Sequence, residues 1–289
     1  MDIENDSSLI PKEISQNDIK YAWHYTSAQG LYGILNDKCF HVTNALFLND
    51  PTEIEYSKNL LLQAIKKYYE HPQYNEIADL ILNMHIRSKI WEHYVLSLSL
   101  NDDSLPMWQY YGKNGYALKL DIDKLFKISF VKNIPVDTER TDMTTMGEVI
   151  YNVKHQLASL DRNLSKIFNT NRENKSDLHR LIYDFINDFE TNRLFYKDSA
   201  YSNEKELRYL FSLNNEDANA SSLFKLSRNG MLVPYIVVDI LEIWDIITEI
   251  KIHPLMDEDL TKNGIKRFLK HNGTENIKIT KSKVPFREL

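Results

Sequence analysis

Two glutamates stand two residues apart in Glu204-Lys205-Glu206-Leu207-Arg208. They sit at the mouth of an apolar run, Leu207 to Phe211, that reads as a strand. Alternation along a strand turns both carboxylates to one side. Like charges placed so repel, and nothing about folding needs them there. Such a pair suits acid–base work or the stabilisation of a developing cation; a solvated turn is the plain alternative. Arg208 beside them serves either as their structural ion-pair partner or as a neutraliser of phosphate. A second group is Trp23-His24-Tyr25-Thr26, a histidine at a strand end just before a helix. A lone histidine in that setting is usually a core residue satisfied by backbone. The third group, Trp108-Gln109-Tyr110-Tyr111-Gly112, is aromatic, and aromatic pairs usually fill cores.

Other chemistries lack their residues. There is no G-x-G-x-x-G and no G-x-x-x-x-G-K-[ST], so neither common phosphate turn is present. The nine histidines form no H-E-x-x-H, and a dedicated metal site is not expected. No G-x-S-x-G elbow supports serine hydrolysis. The single cysteine, Cys39, lies in an apolar stretch as a small hydrophobe, rules out an intrachain disulfide, and suits a reducing cytosol. A net charge of −6 argues against a broad basic surface for nucleic acid, although 262–270 and 278–283 offer local basic strips. The acidic, polar start and the lack of any 18-residue apolar stretch predict a cytoplasmic protein with no membrane segment.

The elements that must position these groups can be read in order. Residues 1–18 read as a flexible arm, and 19–289 as one α+β domain. Tyr21–Thr26 is a strand, and Ser27 caps the helix after it. Cys39–Thr43 is a second strand. Asn49-Asp50-Pro51-Thr52-Glu53 starts a helix, with Asn49 and Asp50 as capping residues. A helical stretch at about 74–93 precedes the alternating strand Tyr94–Leu100. A short helix, a glycine turn and the strand Tyr116–Leu120 come next. Residues 137–196 read as a helical insertion. Glu206–Phe211, two buried strands within 231–254, a helix ended by Gly273 and a last strand at Ile277–Thr280 complete the chain.

These blocks carry a resemblance. Trp23-His24-Tyr25-Thr26, followed by a Gly-Leu-x-x-Ile-Leu helix, resembles the opening strand of H-Y-E-type ADP-ribosyltransferases, with Tyr25 in place of their usual glycine. Leu46-Phe47-Leu48-Asn49-Asp50 with Tyr56 resembles the strand-then-tyrosine block of the poly-ADP-ribose polymerases. Glu206 resembles the glutamate that opens a late strand, and Glu204 mirrors the first glutamate of a Glu-x-Glu. The chain also resembles a bacterial domain family with six ordered blocks. Here these are His24-Tyr25-Thr26, Asn49-Asp50-Pro51-Thr52-Glu53, Ser97-Leu98-Ser99, Trp108 to Gly112, Lys197 with Glu204 to Arg208, and Ser282-Lys283-Val284-Pro285-Phe286-Arg287.

The resemblance implies an ADP-ribosyltransferase-like fold, a split mixed β-sheet core flanked by helices. It implies an enzyme that uses NAD as co-substrate and passes ADP-ribose to a macromolecule, protein or RNA/DNA, in the setting of a toxin or anti-phage effector, with an antitoxin as a possible partner. Glu206 is then catalytic and Glu204 faces the acceptor. His24, Tyr25, Thr26 and Arg208 are on the cofactor side, and Tyr56, Tyr110 and Tyr111 compete to stack on nicotinamide. Arg287 near the tail reads either as a group for a diphosphate or as part of a surface tail. NAD hydrolysis and a silent module that senses NAD or ADP-ribose, or binds a partner, are the other two readings.

Overall fold

The computed structural model describes residues 19–286 apart from 49–51, 71–73, 88–90, 128–129, 133–143, 171–174, 228–229, 241–242 and 275. The elements run β1 (Tyr21–Thr26), α1 (Ala28–Asp37), β2 (Cys39–Asn44), α2 (Thr52–Lys66), α3 (Asn75–Arg87), β3 (Trp91–Ser99), α4 (Leu105–Tyr110), β4 (Tyr116–Asp121) and α5 (Ile122–Lys127). Then follow β5 (Phe130–Val131), β6 (Thr144–Glu148), α6 (Val153–Phe168), α7 (Lys175–Asn192), β7 (Glu206–Asn214), α8 (Asn215–Ser221) and β8 (Leu223–Leu226). The last are β9 (Leu232–Asp239), α9 (Ile243–Ile246), β10 (Ile247–Ile252), α10 (Glu258–His271) and β11 (Lys278–Lys281). The fold is α+β: one mixed sheet flanked by helices. Among the described residues no helix is long and apolar enough to cross a membrane.

The sheet has a gap at its centre. β7 pairs along the whole length of β3, from Trp91 opposite Asn214 to Ser99 opposite Glu206. The other edge of β3 is shared by two strands. β1 meets it only where Trp23 faces Ser99, and β2 only where Thr43 and Asn44 face Val95 and Tyr94. Leu96, Ser97 and Leu98 therefore lie between two diverging partners. β1 leads outward through β4 and β10 to β11, and β2 leads outward through β9. Ser97 is exposed although it sits mid-strand at the centre of the sheet, because among the described residues nothing covers the gap.

Strand alternation sorts the two faces. One face carries Ala22, Phe40, Val42, Leu96, Leu98, Leu207 and Tyr209, packed under Leu31, Ile34 and Leu35 of α1 and Ile265 and Leu269 of α10. Ser27 caps α1 by accepting from Gly30 N at 3.1 Å. The other face is covered at its two ends and open between them. Trp23, Tyr25, Met107 and Trp108 cluster at one end. Val95 and Leu210 pack against Leu194 and Phe195 at the other. Behind that end, α2, α3, α6 and α7 bury a second apolar core containing Leu61, Ile81, Leu164 and Ile186.

The stretch 137–196, expected as a helical insertion, differs in two ways. Thr144–Glu148 is a strand of the main sheet, paired with β7. Its sequence, TTMGE, shows no alternation, and Gly147 is there because the Phe195 ring fills the space a Cβ would need, at 2.9 Å. Its helices α6 and α7 also do not stand apart, since they share a core with α2 and α3. The helical stretch expected through residue 93 ends at Arg87, and the strand expected from Tyr94 already starts at Trp91. Trp91, Glu92 and His93 continue the β3–β7 ladder opposite Asn214, Leu213 and Ser212, which explains why both strands are longer than their apolar centres.

One close approach holds the first strand to the fourth. A Cβ on Gly115 would lie 2.1 Å from the Thr26 carbonyl oxygen and 2.7 Å from Ser27 Cα. Both are backbone atoms and cannot swing away. Gly115→Ala is expected to lower the urea unfolding midpoint by the equivalent of about 1–3 kcal/mol. An unchanged midpoint would mean that this contact is not tight.

Candidate functional site

A cavity of about 220 Å³ opens over the gap between β1 and β2. Its lining includes His24 and Tyr25 from β1, His41 and Thr43 from β2, Ser97 from β3, Tyr111, and Lys197 with Glu204, Glu206 and Arg208. Register explains the assembly. Trp23, Ser99 and Glu206 are aligned across β1, β3 and β7, and Ser97 is aligned with Arg208. These five therefore project on the open face, whereas His24 alternates to the other side and reaches the cavity through the gap.

The charged wall contains three carboxylates and two cations. Arg208 donates from Nε to Glu206 Oε1 at 2.9 Å and from Nη2 to Glu206 Oε2 at 3.0 Å. Nη2 also donates to Glu53 Oε1 at 2.9 Å, and Nη1 to the Leu194 carbonyl at 2.5 Å. Lys197 Nζ lies 2.6 Å from Glu204 Oε2, 3.2 Å from Glu206 Oε2 and 3.2 Å from Glu53 Oε1. Arg208 is 1% exposed, Lys197 4% and Glu206 6%. With all five ionised the group carries one excess negative charge, away from most solvent. Burial by itself pushes the Glu206 carboxyl up. Arg208 and Lys197 outweigh it and hold the carboxyl at about 2. Burial likewise pulls the Lys197 ammonium down, and Glu206 and Glu53 outweigh it and raise it.

Local structure fixes each member. Lys205 takes a left-handed conformation, φ 42°, at the end of a short 3-10 turn, and the chain then enters β7 at Glu206. Glu204 is thus on the turn and Glu206 on the strand. Ser99 Oγ donates to the Glu204 carbonyl at 2.6 Å, and Tyr111 donates its hydroxyl to Glu204 Oε1 at 2.9 Å. Tyr151 Oη accepts from Glu206 N at 2.9 Å. Lys197 is anchored through its backbone: Gln156, fully buried, donates to the Lys197 and Ile150 carbonyls at 3.0 and 2.5 Å.

His24 lies at the other side of the gap. Its Nδ1 is 3.2 Å from the Ser97 carbonyl, and its ring meets Phe40 edge-on at 5.4 Å. A carbonyl only accepts, so Nδ1 carries the proton in this bond. Burial lowers the ring's pKa, which keeps it neutral at pH 7 and leaves Nε2 as an acceptor. The Ser97 carbonyl thus ties His24 to the middle of β3, while the Ser97 side chain shares the open face with Arg208.

A family model described as a protein of unknown function (DUF2971) matches residues 107–209. No similar protein was found among curated proteins or among solved structures. The matched segment runs from α4 into β7 and contains Trp108, Tyr111, Lys197, Glu204, Glu206 and Arg208. His24 and Glu53 lie before it.

The expected site residues divide as follows. His24, Tyr25, Tyr111, Glu204, Glu206 and Arg208 line the cavity. Thr26, Tyr56 and Tyr110 are not among its lining residues. Tyr56 turns its hydroxyl to Gln156 Oε1 at 2.7 Å, and Tyr110 is 64% exposed. Of the three competing tyrosines only Tyr111 faces the cavity. Tyr25 donates to the Asn101 carbonyl at 3.1 Å and packs edge-on against Trp108. Every nitrogen of Arg208 already donates within the protein, so its role is to hold Glu206 and Glu53. Asn49, Asp50, Pro51 and Arg287 lie outside the described residues. Among the described residues no His, Cys, Asp and Glu group could hold a metal ion.

Sequence reasoning assigned no role at the site to Glu53, Lys197 or Ser97. Glu53 and Lys197 lie 155 and 11 residues before Arg208, and no local pattern ties them to it. The only signal was their place in the ordered blocks.

Two outcomes test this wall. Arg208→Ala leaves Glu206 and Glu53 buried beside one cation rather than two, and is expected to destabilise the fold by about 3–5 kcal/mol in urea titration. A loss below 1 kcal/mol would show that the ion pairs are not buried as described. Glu206 ionises near 2 in the folded chain against an ordinary 4.5. Its contribution is complete above 4.5 and is lost as pH falls towards 2. The stability advantage of the native chain over Glu206→Gln should therefore shrink between pH 4.5 and 2; a constant difference across that window would refute the depressed ionisation.

Proposed function

We propose that this chain is an NAD-dependent ADP-ribosyltransferase with an ADP-ribosyltransferase-like split sheet, acting on a macromolecular acceptor. The observation that carries the reading is a single cavity, over a gap in the sheet, lined by a neutral strand histidine on one side and a Glu-x-Glu pair on the other. The excess negative charge of the wall supports it. Cleavage of a nicotinamide–ribose bond builds positive charge on the ribose, as in glycoside cleavage. A preorganised anionic wall stabilises that charge without reorganising.

The roles follow from position. Glu206 is fixed by Arg208 and Lys197, so its carboxylate stays ionised and oriented toward the ribose. Glu204, on the turn and held by Lys197 and Tyr111, serves the acceptor. His24 Nε2 accepts from a ribose hydroxyl. Tyr111 offers a flat ring to nicotinamide. The cavity is smaller than the roughly 300–1,000 Å³ of pockets that engulf a ligand. A dinucleotide would enter it by its nicotinamide end and leave its adenine over the opening. Water in place of the macromolecule would give NAD hydrolysis at the same site.

Incubation with NAD labelled in the adenylate tests the reading. Label on a macromolecule is the expected result; free ADP-ribose alone means a glycohydrolase, and unchanged NAD contradicts both. Glu206→Gln should slow turnover by about 10²–10³ while NAD still binds. His24→Ala should mainly weaken NAD binding. Full turnover in the first variant, or unaltered affinity in the second, would remove the assigned role.

A further inference from the structure

Beside the end of the cavity away from the glutamates, behind its lining residue Thr43, sits a charge of the opposite sign. Thr43 pairs with Val95 and Tyr235, and Tyr235 pairs with Leu223 of β8. Lys225 lies two residues further along β8, opposite Val233. Alternation places His41, Thr43, Tyr235 and Lys225 on the same open face as Ser97 and Glu206. Val95 is four residues from Ser99, so this end lies about 13 Å along β3 from the glutamates.

Lys225 Nζ donates to Thr43 Oγ1 at 3.0 Å and sits 5.2 Å from the centre of the Tyr235 ring. The His41 ring packs on the same tyrosine, 4.5 Å between centroids. His41 and Thr43 line the cavity. Lys225 is half-buried, and among the described residues no carboxylate pairs with it. Burial lowers its pKa, and its charge in turn lowers those of His24 and His41. Among the described residues this partly desolvated ammonium is held by a hydroxyl and an aromatic face and lacks its natural complement, which is an anion. Lys197 and Arg208 differ from it, because each meets glutamates.

We propose that Lys225, with His41 beside it on the Thr43–Tyr235 frame, forms an anion subsite that takes the diphosphate of the bound dinucleotide. The cavity is then polarised along β3. A negative end receives the ribose that turns cationic, and a positive end receives the phosphates. Neutral His41 donates a ring N–H, and Lys225 supplies the charge. The identity of the carrier as NAD rests on the function proposed above; the affinity for a diphosphate does not.

Calorimetric titration of the full chain with NAD, ADP and nicotinamide riboside, which has no diphosphate, tests this. Lys225→Met keeps the aliphatic stem against Tyr235, and a thermal melt matching the native one confirms its fold. It is expected to weaken ADP and NAD about 10–100-fold, the worth of one charge-assisted hydrogen bond, and to leave nicotinamide riboside unchanged. Lys225→Arg should restore most of the affinity. Unaltered ADP and NAD affinities in Lys225→Met overturn the subsite, as does an equal loss for nicotinamide riboside or no binding of ADP to the native chain. Lys225-dependent ADP binding without NAD cleavage upholds the subsite and defeats the transferase reading. Cleavage of NAD indifferent to Lys225 does the reverse.

Discussion

A gap in the middle of a β-sheet is expensive, because central strands are normally covered on both edges and both faces. Here β1 and β2 share one edge of β3 and diverge, so Leu96, Ser97 and Leu98 stand between two partners. The rest of the site depends on that divergence. It exposes a serine at the centre of the sheet, lets His24 reach the Ser97 carbonyl, and gives the charged wall a void to face. Closing the gap by a full β1–β3 ladder would leave the glutamates buried with nothing in front of them.

The wall sits at the junction of two cores. Glu53 comes from α2, Lys197 follows α7, and Glu206 and Arg208 belong to the sheet. Gln156 of α6 holds the Lys197 backbone, and Arg208 caps the Leu194 carbonyl. The helices of the second core thus act on the site without lining most of it. Buried ion pairs of this kind add little net stability over apolar packing, while removing one partner is strongly destabilising. Their use lies in orientation, since each carboxylate oxygen of Glu206 is fixed by a named donor.

Local signals made much of this legible. Ser27, the alternation around Tyr94 to Leu100, and the apolar run after Glu206 located α1, β3 and β7, because caps and period-two patterns act within a few residues. β6 was hidden: TTMGE has no alternation, and its glycine answers to Phe195, 48 residues away. The glutamates and His24 could be singled out by type and spacing. The choice of Tyr111 over Tyr56 and Tyr110 could not, since it depends on which way each ring turns in the fold. Lys225 carried no motif at all. Its meaning arises only from the registers of β8, β9 and β2, which bring it onto Thr43 at the rim of the cavity that His24 and Glu206 share.

A crystal structure of the Glu206→Gln protein with NAD bound would examine this arrangement most directly. The account predicts the nicotinamide ribose between residue 206 and Tyr111, with His24 in hydrogen-bond reach of the dinucleotide and its phosphates turned toward Lys225. Dinucleotide density elsewhere on the molecule, with this cavity left to solvent, would contradict it.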